Sequence, residues 1–181
     1  MARRLDYAQA DFVDRFADLL ASKRESDLDV SAAVADILAD IRQHGDEALL
    51  QLTAKFDRLQ CERIVDLAIG QDEMNAALAN LDPALRDALQ VAATRIRAFH
   101  EKQIPEGFTY SDEDGVVLGM RYTPVDAAGL YVPGGKAVYP SSVLMNAIPA
   151  TVAGVARRVV VVPAPDGFFS PMVLAPAALG G

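Results

Sequence analysis

The apolar residues in the first quarter of the chain recur at helical spacing. One stripe consists of Phe12, Val13, Phe16, Leu19 and Leu20, and a second follows i, i+3, i+4, i+7, i+8 and i+11 spacing through Val30, Ala33, Val34, Ile37, Leu38 and Ile41. Asp29 is a suitable N-cap for the second stripe and Gly45 a suitable C-terminal stop. The pattern predicts two helices before Gly45 and a third that starts at Asp46.

The next hundred residues alternate between helical and strand patterns. Residues 64–69 are rich in β-formers and predict a short strand, and residues 72–81 predict a helix. Asp82-Pro83 places an N-cap before a proline, which suits the start of a long helix. Residues 107–125 predict a β-hairpin whose turn ends at Gly115.

From Ala127 onward the pattern becomes α/β. We expect a strand over 129–132, a helix over 140–154, a strand over 158–163 and a helix over 170–179. Both strands are continuous apolar runs, which is typical of parallel strands buried on both faces, and the connection between them is expected to be right-handed. Two parallel strands cannot bury themselves, so this βαβα segment is predicted to be half of a domain.

The predicted fold class is therefore α/β. Residues 1–126 form a helical N-terminal region with a β-hairpin, and residues 127–181 form the first half of a parallel-sheet domain.

Composition excludes several functional classes. The 181 residues are 51% hydrophobic with a net charge of −8, and no apolar run approaches the ~20 residues that span a membrane. The basic residues are dispersed and outnumbered, so no nucleic-acid footprint is expected. No signal-peptide core is present, and Cys61 is a lone thiol with no histidine near it in sequence, so we expect a cytoplasmic protein.

The most informative segment is 129–154, in which a strand passes through a glycine turn into a helix. Gly134 and Gly135 provide a backbone without Cβ atoms, which suits a tight turn or a close approach to a ligand. Ser141 and Ser142 are expected to cap the helix rather than to bind a ligand. A strand that enters a helix N-terminus through glycine is typical of nucleotide sites, although the spacing matches neither common glycine-rich fingerprint.

The whole of segment 129–154 resembles the signature region of the histidinol dehydrogenase family. Further matches are Ile41-Arg-Gln-His-Gly-Asp-Glu-Ala-Leu-Leu50, Lys55-Phe56-Asp57, the helix end at 96–103 and the strand at 119–129. Nearly all 181 residues are covered by the resemblance.

The resemblance implies an NAD- and zinc-dependent oxidoreductase of histidine biosynthesis. The family oxidises L-histidinol through L-histidinal to L-histidine with two NAD, is homodimeric, and has a Rossmann-like domain of which residues 127–181 would be the first half. Tyr131 matches the tyrosine that contacts NAD in the family. The zinc ligands, the catalytic Glu-His pair and the substrate-binding residues of the family match nothing in this chain and would lie after Gly181.

Other interpretations remain open from the sequence alone. The alternative for Tyr131 is a packed strand tyrosine without a cofactor role. The alternative for the whole chain is a non-catalytic truncated gene product that folds in part and dimerises. A related zinc- and NAD-dependent sulfonate-diol dehydrogenase is the alternative within the enzyme class. The coding sequence after Gly181 separates a longer enzyme from a truncated product.

The remaining polar residues do not predict a catalytic or metal site in this chain. His44 and His100 lie near the ends of different predicted helices and lack the convergent partners of a zinc site. Asp46 and Glu47 suit a helix N-terminus, where carboxylates complement the helix dipole.

Overall fold

The computed structural model describes residues 4–133 and 139–181, without the side chains of residues 22–29. The chain divides into two compact units, Met1–Leu52 and Thr53–Gly181. The assignment of 1–126 and 127–181 to two domains of an intact enzyme stays a prediction.

The first unit is dominated by one helix, α1 (Phe12–His44), where the sequence predicted two. Asp29 is therefore inside the helix and the prediction that it is an N-cap is wrong. The reason is that residues 21–29 contain neither glycine nor proline, so nothing stops the first stripe from continuing into the second. The helix ends as predicted at Gly45, which has a φ of +58° and donates its N–H to the Ile41 carbonyl at 2.8 Å.

Helix α2 (Asp46–Asp57) comes next, with Asp46 and Glu47 in its first turn as expected. The segment predicted as a strand at 64–69 is instead a 3₁₀ turn, Ile64–Leu67. Asp66 accepts hydrogen bonds from the Arg63 backbone N–H at 3.2 Å and from Arg63 Nη2 at 2.6 Å. These local bonds favour the turn over the β-propensity of the sequence.

The helices predicted over residues 72–81 and from Pro83 onward are confirmed. Helix α3 spans Gln71–Ala79, and α4 spans Pro83–Glu101. Asp82 caps α4, since its Oδ1 accepts from the backbone N–H groups of Ala84 at 3.0 Å and Leu85 at 3.3 Å.

The predicted hairpin consists of β1 (Phe108–Ser111) paired antiparallel with β2 (Val117–Met120). Asp112 closes its turn by accepting hydrogen bonds from the N–H groups of Asp114 and Val116. Every residue of both strands is exposed.

The βαβα segment is confirmed as β3 (Ala127–Tyr131), α5 (Pro140–Val152), β4 (Arg157–Val161) and α6 (Pro171–Gly180). The two strands are parallel, with Gly129 opposite Val159 and Tyr131 opposite Val161. Ser170 caps α6 by accepting from the Met172 N–H at 3.2 Å. None of the helices in the described residues combines the length and the apolar character that crossing a membrane needs.

The core of the second unit joins α4 to α5 and α6. Leu89 and Ala93 of α4 cluster with Leu144 and Ile148 of α5, and the last two are fully buried. Burying a side chain of this size contributes about 1.5–3 kcal/mol to the free energy of folding. Helix α6 approaches α5 so closely that a Cβ at Gly180 would lie 2.5 Å from the Cβ of Ala147.

Among the described residues, only one face of the β3–β4 sheet is covered. Because residues 127–181 are predicted to be half of a domain, the burial of both faces in a complete domain stays a prediction. Exposure alternates along both strands. Both helices pack on the same face, because Val132 and Val160 cluster with Val143 of α5 and Val173 of α6. We call the other side the open face; it consists of Ala127, Gly129, Tyr131, Arg157, Val159 and Val161.

Candidate functional site

Tyr131, the predicted cofactor residue, is the last residue of β3 and lies on the open face. Its neighbour Val132 is fully buried and donates its N–H to the Val161 carbonyl at 2.9 Å, which fixes the end of the strand. Tyr131 itself is 63% exposed, and its hydroxyl has no hydrogen-bond partner among the described residues. This environment differs from that of a packed strand tyrosine, whose hydroxyl usually finds a partner.

The turn after Tyr131 falls partly outside the described residues. Gly134 and Gly135 lie there, so their predicted role stays a prediction. The chain is described again at Tyr139, which is the N-cap of α5 without a side-chain capping bond. Ser141 and Ser142 come after Pro140 inside the first turn, so the prediction that they are caps is wrong; proline at the first helical position moves the cap to Tyr139.

The loop after β4 lies at the same edge of the sheet as Tyr131. Parallel strands point their carboxyl ends to one edge, and Tyr131 and Val161 are register partners. Ala164 is buried in this loop, and Pro165–Gly167 form a 3₁₀ turn in which the Gly167 N–H donates to the Ala164 carbonyl at 2.9 Å. In open α/β sheets, ligands bind at this edge.

Residues at the end of α2 hold this loop. Asp57 Oδ2 accepts a hydrogen bond from the Ala164 backbone N–H at 3.3 Å. Arg58 forms a two-pronged ion pair with Asp166, with Nε to Oδ1 at 2.7 Å and Nη2 to Oδ2 at 2.6 Å. We call this set, Asp57 and Arg58 with Ala164 and Asp166, the loop clasp.

The loop clasp also determines the electrostatics of its ion pair, Arg58 and Asp166. The hydrogen bond with Asp166, followed by the attraction of its charge, raises the pKa of Arg58 above its ordinary value. The hydrogen bond from Arg58 lowers the pKa of Asp166 below its ordinary value. Both groups are therefore charged throughout the neutral pH range.

Sequence reasoning did not identify the loop clasp, because its partners are 108 residues apart. Two signals were visible: Asp57 ends the Lys55-Phe56-Asp57 match, and Pro163–Gly167 is a loop after an apolar strand. Neither indicates by itself that the two segments meet.

Each histidine has its own local partner. His44 Nδ1 lies 2.7 Å from Asp40 Oδ1, and His100 Nδ1 lies 2.6 Å from Gln103 Oε1. Cys61 is a free, partly buried thiol. Across residues 4–133 and 139–181, no three His, Cys, Asp or Glu side chains are grouped so that they could hold a metal ion.

The chain is similar in sequence to histidinol dehydrogenases along its whole length. The family model for histidinol dehydrogenase matches residues 20–181. Histidinol dehydrogenase of Rhodospirillum rubrum is 56% identical over 181 residues, and that of Bradyrhizobium diazoefficiens is 53% identical over the same length. The chain is covered completely in both comparisons but spans only 42% of the length of each relative.

A solved structure supports the same relationship. The crystal structure of histidinol dehydrogenase from Elizabethkingia anophelis matches with a TM-score of 0.73 and 33% sequence identity. The match covers 84% of this chain and 35% of that one.

Proposed function

Since the chain belongs to the histidinol dehydrogenase family, we propose that it is the N-terminal part of a histidinol dehydrogenase of histidine biosynthesis. The observation that carries the proposal is the 56% identity to one such enzyme over all 181 residues. The proposed enzyme uses two NAD and one water to convert L-histidinol into L-histidine. The first hydride transfer gives L-histidinal and a proton, and the second, from the hydrated aldehyde, gives the carboxylate.

Tyr131 is proposed to contact the NAD. Two features of the described residues support this role: Tyr131 is the last residue of a parallel strand at its carboxyl end, and its side chain is exposed there. An aromatic ring in such a place offers a flat apolar surface to a nucleotide ring.

The described residues do not fit a zinc ion, because no suitable ligand group is present among them. The zinc ligands and the catalytic residues of the proposed enzyme are assigned to the portion that residues 1–181 do not include. The contribution of this chain is to bind and orient the cofactor.

The proposed enzyme is a homodimer, as the family resemblance implies, and is cytoplasmic, as expected from the sequence pattern at its N-terminus. The open face of the β3–β4 sheet supports a larger assembly, since Val159 and Val161 are exposed there in a strand pair that elsewhere packs on helices. The covering element would come from further sequence of the same enzyme or from a second subunit.

The proposal is tested first on the gene and then on the protein. We expect the coding sequence to continue in frame after Gly181. The full-length enzyme is then mixed with L-histidinol and NAD, and NADH and L-histidine are measured together. We expect two NADH for each L-histidine formed.

Two results would overturn the proposal. A natural stop codon after Gly181 would favour a non-catalytic folding or dimerisation module. A full-length enzyme that reduces NAD with a sulfonate diol and not with L-histidinol would belong to the alternative dehydrogenase class.

A further inference from the structure

We propose that the loop clasp is a positioning device for the cofactor: Asp57 and Arg58 hold the loop 164–167 as a second wall of the NAD site, beside Tyr131. This inference rests on the proposed function and extends it to residues that the family signature segment at 129–154 does not contain. Arg58 and Asp166 are positioning residues in this proposal and do not touch the reacting atoms.

The loop 164–167 lies at the edge of the sheet where a cofactor is expected. It comes shortly after β4, whose last residue, Val161, is the register partner of Tyr131. A dinucleotide bound at the carboxyl edge of these strands lies against the segments that leave both strands there. For β4, that segment contains the loop 164–167.

The loop is held in several independent ways. Its backbone is bound at Ala164 through Asp57, and its side chain at Asp166 is bound by both prongs of Arg58. Gly167 lies so close to Leu59 that an added Cβ would be 3.1 Å from Leu59 Cδ1. Three consecutive residues of one segment, Asp57 to Leu59, thus meet the loop at three points.

The loop clasp contributes little to the free energy of unfolding. Arg58 and Asp166 are the two residues other than glycine with a positive φ among the described residues, at +56° and +58°. Such backbone is unfavourable for side chains with a Cβ and is concentrated at functional sites. The ion pair is solvent-exposed, with 61% and 67% of the two side chains accessible, and exposed pairs return little free energy. The consequence of the clasp is geometric, since it fixes the loop rather than stabilising the fold.

A local pair in the same unit provides a comparison. Arg63 and Asp66 form an ion pair at 2.6 Å that is also exposed, but they are three residues apart and hold only their own 3₁₀ turn. Arg63 has an extended φ of −140°. Removal of this pair changes charge and local structure without releasing the loop after β4.

The test uses full-length enzyme with Arg58→Gly or Asp166→Gly. Glycine accepts a positive φ without strain, so each variant breaks the ion pair and relieves one unfavourable backbone conformation. Arg63→Ala is the matched control. Asp166→Asn, which keeps the shape of the side chain, replaces Asp166→Gly if the glycine variant does not fold. The KM for NAD, the KM for L-histidinol, kcat and the thermal unfolding midpoint are measured for each.

We expect the KM for NAD to rise roughly threefold to tenfold in the clasp variants, because the loop must be ordered when the cofactor binds. The KM for L-histidinol is expected to stay within error of the value for the unaltered enzyme. The thermal unfolding midpoint is expected to stay the same or to rise. Arg63→Ala is expected to match the unaltered enzyme. A merely structural clasp would instead lower the unfolding midpoint and leave the KM for NAD unchanged, and that result overturns the proposal.

The exchanged pair Arg58→Asp with Asp166→Arg gives a second readout. If the pair acts through its geometry, the double variant recovers part of the NAD affinity that either single exchange loses. No recovery overturns the inference. Failure of the proposed function is distinguishable, because the unaltered enzyme would then form no NADH from L-histidinol.

Discussion

At the scale of single residues, Tyr131 is the functional candidate that the family motif predicts, and its side chain is exposed at the carboxyl end of β3. Val132 is fully buried, while the aromatic ring one residue earlier is mostly in solvent. An aromatic side chain loses favourable free energy when it stays in water, so such exposure at a strand end favours a ligand or partner that covers it.

Tyr131→Ala in the full-length enzyme is expected to raise the KM for NAD about fivefold to tenfold, since one aromatic contact is worth on the order of 1 kcal/mol. The KM for L-histidinol is expected to change much less. Tyr110→Ala, which removes an exposed tyrosine of the β1–β2 hairpin, is the control. An unchanged KM for NAD in a stable Tyr131→Ala enzyme would return Tyr131 to a structural role.

The ion pair of the loop clasp predicts a pH response with a definite sign. Hydrogen bonding to Arg58 lowers the pKa of folded Asp166, so its contribution is fully present above the ordinary aspartate pKa and is lost as the pH falls through the lowered value. We expect Arg58→Gln to move the pKa of Asp166 upward, measured by NMR titration of its carboxyl carbon. Arg63→Gln should leave it in place, and equal shifts in both variants would contradict the specific pairing.

At the scale of secondary-structure elements, the packing of α6 against α5 depends on one glycine. Gly180→Ala is expected to destabilise the second unit by roughly 1–3 kcal/mol, because its Cβ would overlap Ala147. Better helix propensity offsets up to about 1 kcal/mol of this. Gly129→Ala, where the new Cβ meets open space, is the control. Denaturant unfolding compares the two, and equal midpoints would show that the helices separate without cost.

Local sequence patterns predicted elements where the deciding contacts are local. Asp82-Pro83 starts α4, and Gly45 ends α1, as expected from capping chemistry. The strand predicted at residues 64–69 is wrong because Asp66 satisfies the backbone and side chain of Arg63 within one turn. A run of residues with high β-propensity forms a strand only when hydrogen bonds to a partner strand are more favourable than local bonds of this kind.

Contacts between distant segments account for the features that the sequence could not predict. The apolar runs of β3 and β4 did not indicate which face α5 and α6 cover, and both helices pack on one face. Tyr131 was predicted from a recognisable motif, and its cofactor role stays a prediction. Arg58 and Asp166 were not predicted, because each requires an unusual backbone φ and a partner that only the fold brings near.

At the scale of the whole molecule, the open face and the strand edges predict self-association of the 181-residue chain. Among the described residues the β3–β4 sheet has two strands, and the strand edges beside the exposed Val159 and Val161 favour pairing with another copy. We expect species larger than a monomer by sedimentation at micromolar concentration. Val159→Lys should reduce them, and Gln90→Lys on α4 should not. A monomer in which residues 128–163 are fully protected from hydrogen exchange would contradict this prediction.

The isolated chain is also expected to be catalytically inactive and to hold no stoichiometric zinc. The described residues offer no convergent ligand group, and each histidine is bound locally within or next to its own helix, His44 to Asp40 and His100 to Gln103. Metal analysis and an assay of NADH formation from L-histidinol test both statements. One tightly held zinc per chain, or turnover above background, would contradict the division of roles proposed for this part of the enzyme.

Helix α3 packs against α6 within the second unit, and this contact has a consequence for synthesis on the ribosome. About 90 residues separate the end of α3 from the start of α6. At roughly 5–20 residues per second, the surface of α3 that faces α6 stays without its partner for roughly 5–20 seconds of translation. The nascent chain must therefore keep this surface soluble before the core closes, and a holding chaperone would meet the protein in that interval.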